Sequence, residues 1–151
     1  MRKHAPSAHY PDKILLCRGI KNSRNIRNRK AVIEALSALG FAAIQPEKLS
    51  FDEQAMIFAR AEFIVSEFGA AMANVMFCRP GTKVVEIIAE GQHDPWSAHL
   101  CAMLELTYVV LFQRQSEADL INTPRHVKDS EFAFEVDVPG LMETVKSLLR
   151  A

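Results

Sequence analysis

The sequence predicts a doubly wound α/β domain, a mostly parallel sheet of five or six strands in the order 2-1-3-4-5 with helices on both faces. Three observations lead there. Short apolar or β-branched runs alternate with amphipathic segments about every 20 to 25 residues, the rhythm of strand, crossover helix and strand. A chain of 151 residues with 49% hydrophobic and 24% charged content can cover such a sheet on both faces. A single crossover helix separates the first strand from the second and the second from the third, and right-handed crossovers then carry the third strand to the far side of the first. In that order ligands bind where the first and third strands diverge.

The first strand is Lys13 to Cys17, an apolar run without helical period. Val32, Ile33, Leu36 and Leu39 stand at i, i+1, i+4 and i+7 on one helical stripe, and Gly40 sits where a helix stops. Phe41 to Ile44 reads as the second strand, ended by Pro46. Ser50-Phe51-Asp52-Glu53 has capping-box spacing, and the helix that it opens carries Phe51, Ala55, Phe58 and Ala59 on one side. Phe63 to Val65 is the third strand. Gly69 to Phe77 is helix-prone and stops before the turn pair Pro80-Gly81. Lys83 to Ile88 is the β-branched fourth strand, and Asp94-Pro95 offers an N-cap with proline at the first position of a helix reaching to Glu105. Thr107 to Phe112 is the fifth strand; residues 113–130 are polar and aperiodic; Phe132 to Val136 suits a short sixth strand. The last helix places Leu141, Val145, Leu148 and Leu149 on one face, with Asp137 as its cap.

Residues 1–11, with two prolines, two histidines and no period, read as a flexible leader, which leaves residues 12–151 as one domain. No apolar run approaches the ~20 residues of a membrane span, and none follows the basic start as a secretory signal requires, so a cytoplasmic location is expected. Cys17, Cys78 and Cys101 are odd in number, far apart and without C-x-x-C spacing, which suggests buried thiols rather than disulfides or zinc. Net charge is zero but uneven: residues 1–30 hold nine Lys/Arg against one Asp, leaving nine against seventeen acids in the remainder. A duplex-binding protein is usually basic over a whole face, so a small anion, not nucleic acid, is the expected partner.

Two loops carry the chemistry. Arg18 to Lys30 has six basic residues in thirteen and no acid, at the carboxyl end of the first strand; clustered Arg forks suit a diphosphate, and a solvated basic loop is the plain alternative. Ser66-Glu67-Phe68-Gly69-Ala70-Ala71 joins the third strand to a helix with small residues at the turn, where an anion can meet unpaired N–H groups, although close packing wants small residues equally. Glu67 would compete with such an anion unless it points away.

From Leu15 to Tyr108 the chain resembles glycosyltransferase family 61, also described as capsular polysaccharide biosynthesis proteins. The resemblance rests on Arg18, Arg24-x-Ile26-x-Asn28, Gly40-Phe41, Pro46-Glu47-x-Leu49-Ser50-Phe51-x-x-Gln54 and Pro80-Gly81-Thr82-x-Val84-x-Glu86-Ile87, with Trp96 and Tyr108 also in place. Phe68-Gly69-Ala70-Ala71-Met72-x-Asn74-x-x-Phe77 corresponds to the family's His-Gly-Ala-Gly-Leu-x-Asn-x-x-Phe signature, with Phe68 in place of the histidine and Ala71 in place of the second glycine. The resemblance implies the C-terminal, donor-binding half of a GT-B enzyme that transfers a sugar with inversion from a nucleotide sugar to a glycan or polysaccharide acceptor. It implies an N-terminal domain that supplies much of the acceptor site, and no bound metal or other cofactor. Arg18, Arg24, Gly69 and Ala70 would lie near the diphosphate, and Phe68 beside the donor.

Glu86, at the end of the fourth strand, would accept from ribose hydroxyls or be a solvated strand-end carboxylate. Asn28, Gln54 and Asn74 would contact the donor or bridge local backbone. No residue is assignable as catalytic base, and His93 and His99 lack metal-ligand spacing. Phe68 also leaves room for a second function, a non-catalytic sugar-nucleotide binding module. The chain alone, as half a cleft, is expected to be inactive in transfer.

Overall fold

The computed structural model describes residues 10–17, 26–90, 94–114 and 134–151. Its five strands, β1 Lys13–Leu16, β2 Ala42–Ile44, β3 Phe63–Glu67, β4 Lys83–Ala89 and β5 Thr107–Gln113, pair in parallel in the order β2-β1-β3-β4-β5. Leu16 is level with Ser66, Ser66 with Glu86 and Glu86 with Val110, so β1 ends one residue short of β3 while β4 and β5 run on past both. Both faces of β3 are buried along its whole length, which is why the strand reads as a continuous apolar run rather than an alternation.

Helices α1 (Arg29–Ser37), α2 (Phe51–Arg60), α3 (Trp96–Met103) and α4 (Val138–Arg150) cover the sheet, with 3-10 segments at Pro46–Lys48 and Ala70–Phe77. On one face Val32 and Leu36 of α1 and Leu141 and Val145 of α4 pack on Leu15, Cys17, Val65 and Ile87. On the other, Ile57 and Phe58 of α2, Met72 and Val75 of the longer 3-10 helix and Cys101 of α3 pack on Ile14, Leu16, Ile64 and Val84. The period of two along each strand therefore sorts odd-numbered side chains of β1, β3 and β4 to the α1/α4 face and even-numbered ones to the α2/α3 face. No helix among the described residues is long and apolar enough to cross a membrane.

The local signals explain most boundaries. Ser50 accepts from the Glu53 N–H while the Glu53 carboxylate accepts from Ser50, the reciprocal box that opens α2. Gly40, at φ +84°, lets the Phe41 N–H reach Leu36 O and its own N–H reach Ser37 O, which closes α1 as a Schellman turn. Asp137 caps α4 by accepting from the Gly140 N–H at 3.2 Å.

Four expectations are corrected. Among the described residues no sixth strand joins the sheet: Phe134 makes an isolated parallel bridge with Ile26, and Phe134 and Val136 drop into the α1/α4 core. Residues 132–133, like the polar stretch 115–133 to which they belong, lie outside the described residues. Leu149 is 40% exposed and does not share the buried face of Leu141 and Val145. Pro95 is the N-cap of α3 rather than its first residue, with Asp94 accepting from the Trp96 N–H at 3.3 Å. The helix after Gly69 is of the 3-10 type: Met72 and Val75 are buried while Ala70, Ala73 and Met76 are exposed, a repeat of three that matches its turn.

Candidate functional site

At the carboxyl ends of the strands, β1 leaves the sheet at Cys17, whose N–H donates to Ile44 O at 2.8 Å. Arg18 and Arg24 follow in a segment outside the described residues. Where the chain resumes it is tied down: Arg27 N–H donates to Phe134 O at 2.9 Å, and the Asn28 side chain both donates to Val136 O (2.8 Å) and accepts from the Val136 N–H (2.9 Å). An amide side chain that answers one peptide in both directions clamps the start of α1 to the segment before α4. Of the two roles open to Asn28, backbone bridging is the one in place.

Arg29, the first residue of α1, is a site residue that sequence reasoning did not single out from the basic run. Its Nε donates to Glu67 Oε1 at 3.1 Å and its Nη2 to Glu67 Oε2 at 3.0 Å. Glu67 is the last residue of β3 and is only 7% exposed, so this fork joins the two elements that diverge at the switch point. As an odd-numbered residue, Glu67 faces α1 and turns away from the 3-10 helix that follows. Its carboxylate is held by Arg29 and not by the N–H groups beyond Gly69. Cys17 lies in the same field: burial lifts its thiol to about 11, Glu67 adds to the rise and Arg29 opposes it.

Half-buried Phe68 donates its N–H to Ile87 O at 3.0 Å and hands the chain to Gly69. Gly69 takes φ 153° and ψ 179°, a backbone region essentially confined to glycine. The first bond of the 3-10 helix runs from Met72 N–H to Gly69 O, so the N–H groups of Ala70 and Ala71 precede its ladder. Four residues into it, the Asn74 amide donates to Gln54 Oε1 at 2.8 Å, and Gln54 Nε2 donates to Leu49 O at 3.1 Å. Gln54 and Asn74 therefore act together as a strut between α2 and the 3-10 helix.

Glu86 is not at a strand end. It lies three residues inside β4, fully buried, because β4 continues to Ala89. Its Oε2 accepts from Ser97 Oγ and from Tyr108 OH, both at 2.6 Å, while Oε1 is buried with no protein partner. Burial drives its carboxyl above the ordinary range, and the two hydroxyl bonds pull the other way. The sequence does carry a signal for this: a Glu inside Val-Val-Glu-Ile-Ile must be buried in a two-faced sheet, and a buried carboxyl needs donors from neighbouring elements. Cys78 and Cys101, on that same face, are pushed up to about 12 and about 11, chiefly by burial, so both are packed thiols rather than nucleophiles.

The opposite end of the sheet has a different character. A cleft of about 560 Å³ there is lined by Asp12, Lys13, Glu62, Arg79, Thr82 and Lys83 among others, but its cations are engaged. Lys13 Nζ donates to Leu39 O at 3.1 Å, Lys83 Nζ to Leu148 O at 2.6 Å and Arg79 Nη2 to Arg60 O at 3.5 Å, each at the end of a helix.

A parallel sheet with its switch point between β1 and β3, a basic segment leaving one strand and a glycine-opened helix leaving the other, defines a doubly wound α/β protein, a class whose ligands bind outside the strand carboxyl termini. The family model Glycosyltransferase 61 matches residues 1–85, more than half of the chain, and the protein belongs to the glycosyltransferase 61 family. A transferase role follows from that membership. No curated protein gives a significant match. The matched span holds both loops of the switch point, from the basic segment through Gly69 and Asn74, and ends one residue before Glu86.

Proposed function

We propose that this domain binds the nucleotide-sugar donor of an inverting glycosyltransferase, with the diphosphate between the exits of β1 and β3. The observation that carries the reading is the pairing of β1 with β3 over Lys13 to Leu16, which sets the exit toward Arg18 and Arg24 beside the exit toward Gly69. Guanidinium forks and the leading N–H groups of Ala70 and Ala71 would offset the charge that grows on the diphosphate as the anomeric bond breaks. An acceptor hydroxyl of a glycan or polysaccharide would attack from the opposite face while a base takes its proton. Much of the acceptor site would come from the N-terminal half that the resemblance implies. The reading places the reaction in the cytoplasm and needs neither metal nor cofactor.

The test is calorimetry with UDP and GDP on the parent and on Arg24→Ala. Binding is expected, with a loss of roughly 1.5–3 kcal/mol in the variant. Equal affinities would remove Arg24 from the site. A second reading, a binding module without transfer, is favoured by one residue: Phe68 puts an apolar ring where the family signature has a histidine. Donor binding without sugar transfer, when the chain is supplied with its N-terminal half, would select that reading.

A further inference from the structure

The Arg29–Glu67 fork sits where the proposed diphosphate would bind, and its geometry matches what a phosphate would ask of Arg29. Two parallel N–H donors meet two oxygens at 3.1 and 3.0 Å, the bidentate contact that guanidinium offers to carboxylate and phosphate alike. The oxygens come from the last residue of β3 and the donors from the first residue of α1, so the pair spans the switch point itself. Both side chains are largely withdrawn from water, at 18% and 7% exposure, so solvent screens the contact little. Glu67 is also the one acid in the segment 63–77, and the basic segment from residues 18 to 30 contains none.

We propose that the Glu67 carboxylate is a built-in competitor for the ligand's phosphate: it occupies Arg29 in the unliganded protein and must yield Arg29 when a diphosphate enters. The inference rests on the diphosphate reading and adds to it a residue that sets affinity. Glu67 acts through Arg29, which makes it a tuning residue rather than a catalytic one. Its effect is confined to charged ligands, because an uncharged nucleoside has nothing to exchange for the carboxylate.

The experiment compares pyrophosphate, UDP and uridine by calorimetry on the whole chain as parent, as Glu67→Gln and as Glu67→Asp. Gln keeps the shape and removes the charge; Asp keeps the charge but is one methylene too short to hold the fork. With Arg29 released, UDP and pyrophosphate should bind about tenfold or more tightly to Glu67→Gln and about threefold to Glu67→Asp, with uridine unchanged. Melting curves identify which variants are folded, and one folded variant suffices. Diphosphate affinity equal to or weaker than the parent's in every folded variant overturns the inference and leaves the diphosphate reading standing. A gain that uridine shares equally also overturns it, since that marks a change of pocket shape. No binding of UDP or pyrophosphate by any of the three proteins overturns both.

Discussion

The two ends of the sheet answer the same problem in opposite ways. At the amino ends, where helices finish, the protein closes itself: Lys13, Arg79 and Lys83 donate to carbonyls at the ends of α1, α2 and α4, and α3 closes through Glu105 in a left-handed conformation at φ 57°. At the carboxyl ends of β1 and β3, unlike the capped starts of α2 and α4, Asn28 turns away from α1 to hold Val136, no described side chain caps the 3-10 helix, and the nearest buried cation is held by the last residue of β3. Helix carbonyls satisfied by the protein's own lysines are a structural device. Helix N–H groups preceding their ladder beside an ion pair are what the proposed diphosphate site would use.

That contrast can be broken from either end. The largest effect is expected from Arg29→Ala, which removes both fork bonds to the buried Glu67 carboxylate; denaturant unfolding should show a loss of about 1.5–3 kcal/mol, and a loss under about 1 kcal/mol would mean that the pair is solvated in practice. Next is Glu86→Gln, followed against pH. The folded carboxyl is raised above 4.5 by burial, so the parent's stability is intact below that value and declines as pH rises through the folded value. Gln keeps an oxygen for Ser97 and Tyr108 and cannot ionise. The stability of the variant relative to the parent should therefore grow as pH climbs above the ordinary carboxylate range, and a flat difference from pH 4 to 8 would refute the buried-acid account.

At the amino end, Lys83→Met should cost about 1.5 kcal/mol through the lost charge-assisted bond to Leu148 O, with nucleotide affinity untouched. A change in affinity would break the division between a structural end and a ligand end. The smallest effect is expected from Glu105→Gly: relief of the left-handed backbone is largely offset by the freer unfolded chain, for a net gain under about 1 kcal/mol in thermal unfolding. A loss would show that the Glu105 side chain holds the α3 terminus by more than its backbone angle.

Much of the fold that frames the site was readable beforehand. The order 2-1-3-4-5 followed from one crossover helix on each side of β2, and it directed attention to the loops after β1 and β3. Gly69 was singled out because small residues at the turn let a ligand approach the backbone or a helix pack closely; its φ of 153° adds a third reason, a backbone that only glycine adopts readily. Arg29 was not. Six basic residues in thirteen look alike in one dimension, and only the register that ends β3 at Glu67 shows that Arg29 is the one its carboxylate grips among the described residues.

By itself the sequence determined the sheet, its order, the helices that cover it and the membership carried by residues 1–85, because hydropathy period, caps and turn residues act over a few positions each. Tertiary structure alone decided which polar side chains meet. Glu86 gained Ser97 and Tyr108 from the next helix and strand, Asn28 gained Val136 from 108 residues away, and Arg29 gained Glu67 from 38 residues away. The 3-10 form of residues 70–77 was settled in the same way, since a segment apolar at every position but Asn74 carries no period of its own and takes the one that packing between α2 and α3 imposes. Local propensity is written in neighbouring residues, whereas a polar contact between distant segments depends on register and crossover, and those exist only once the chain has folded.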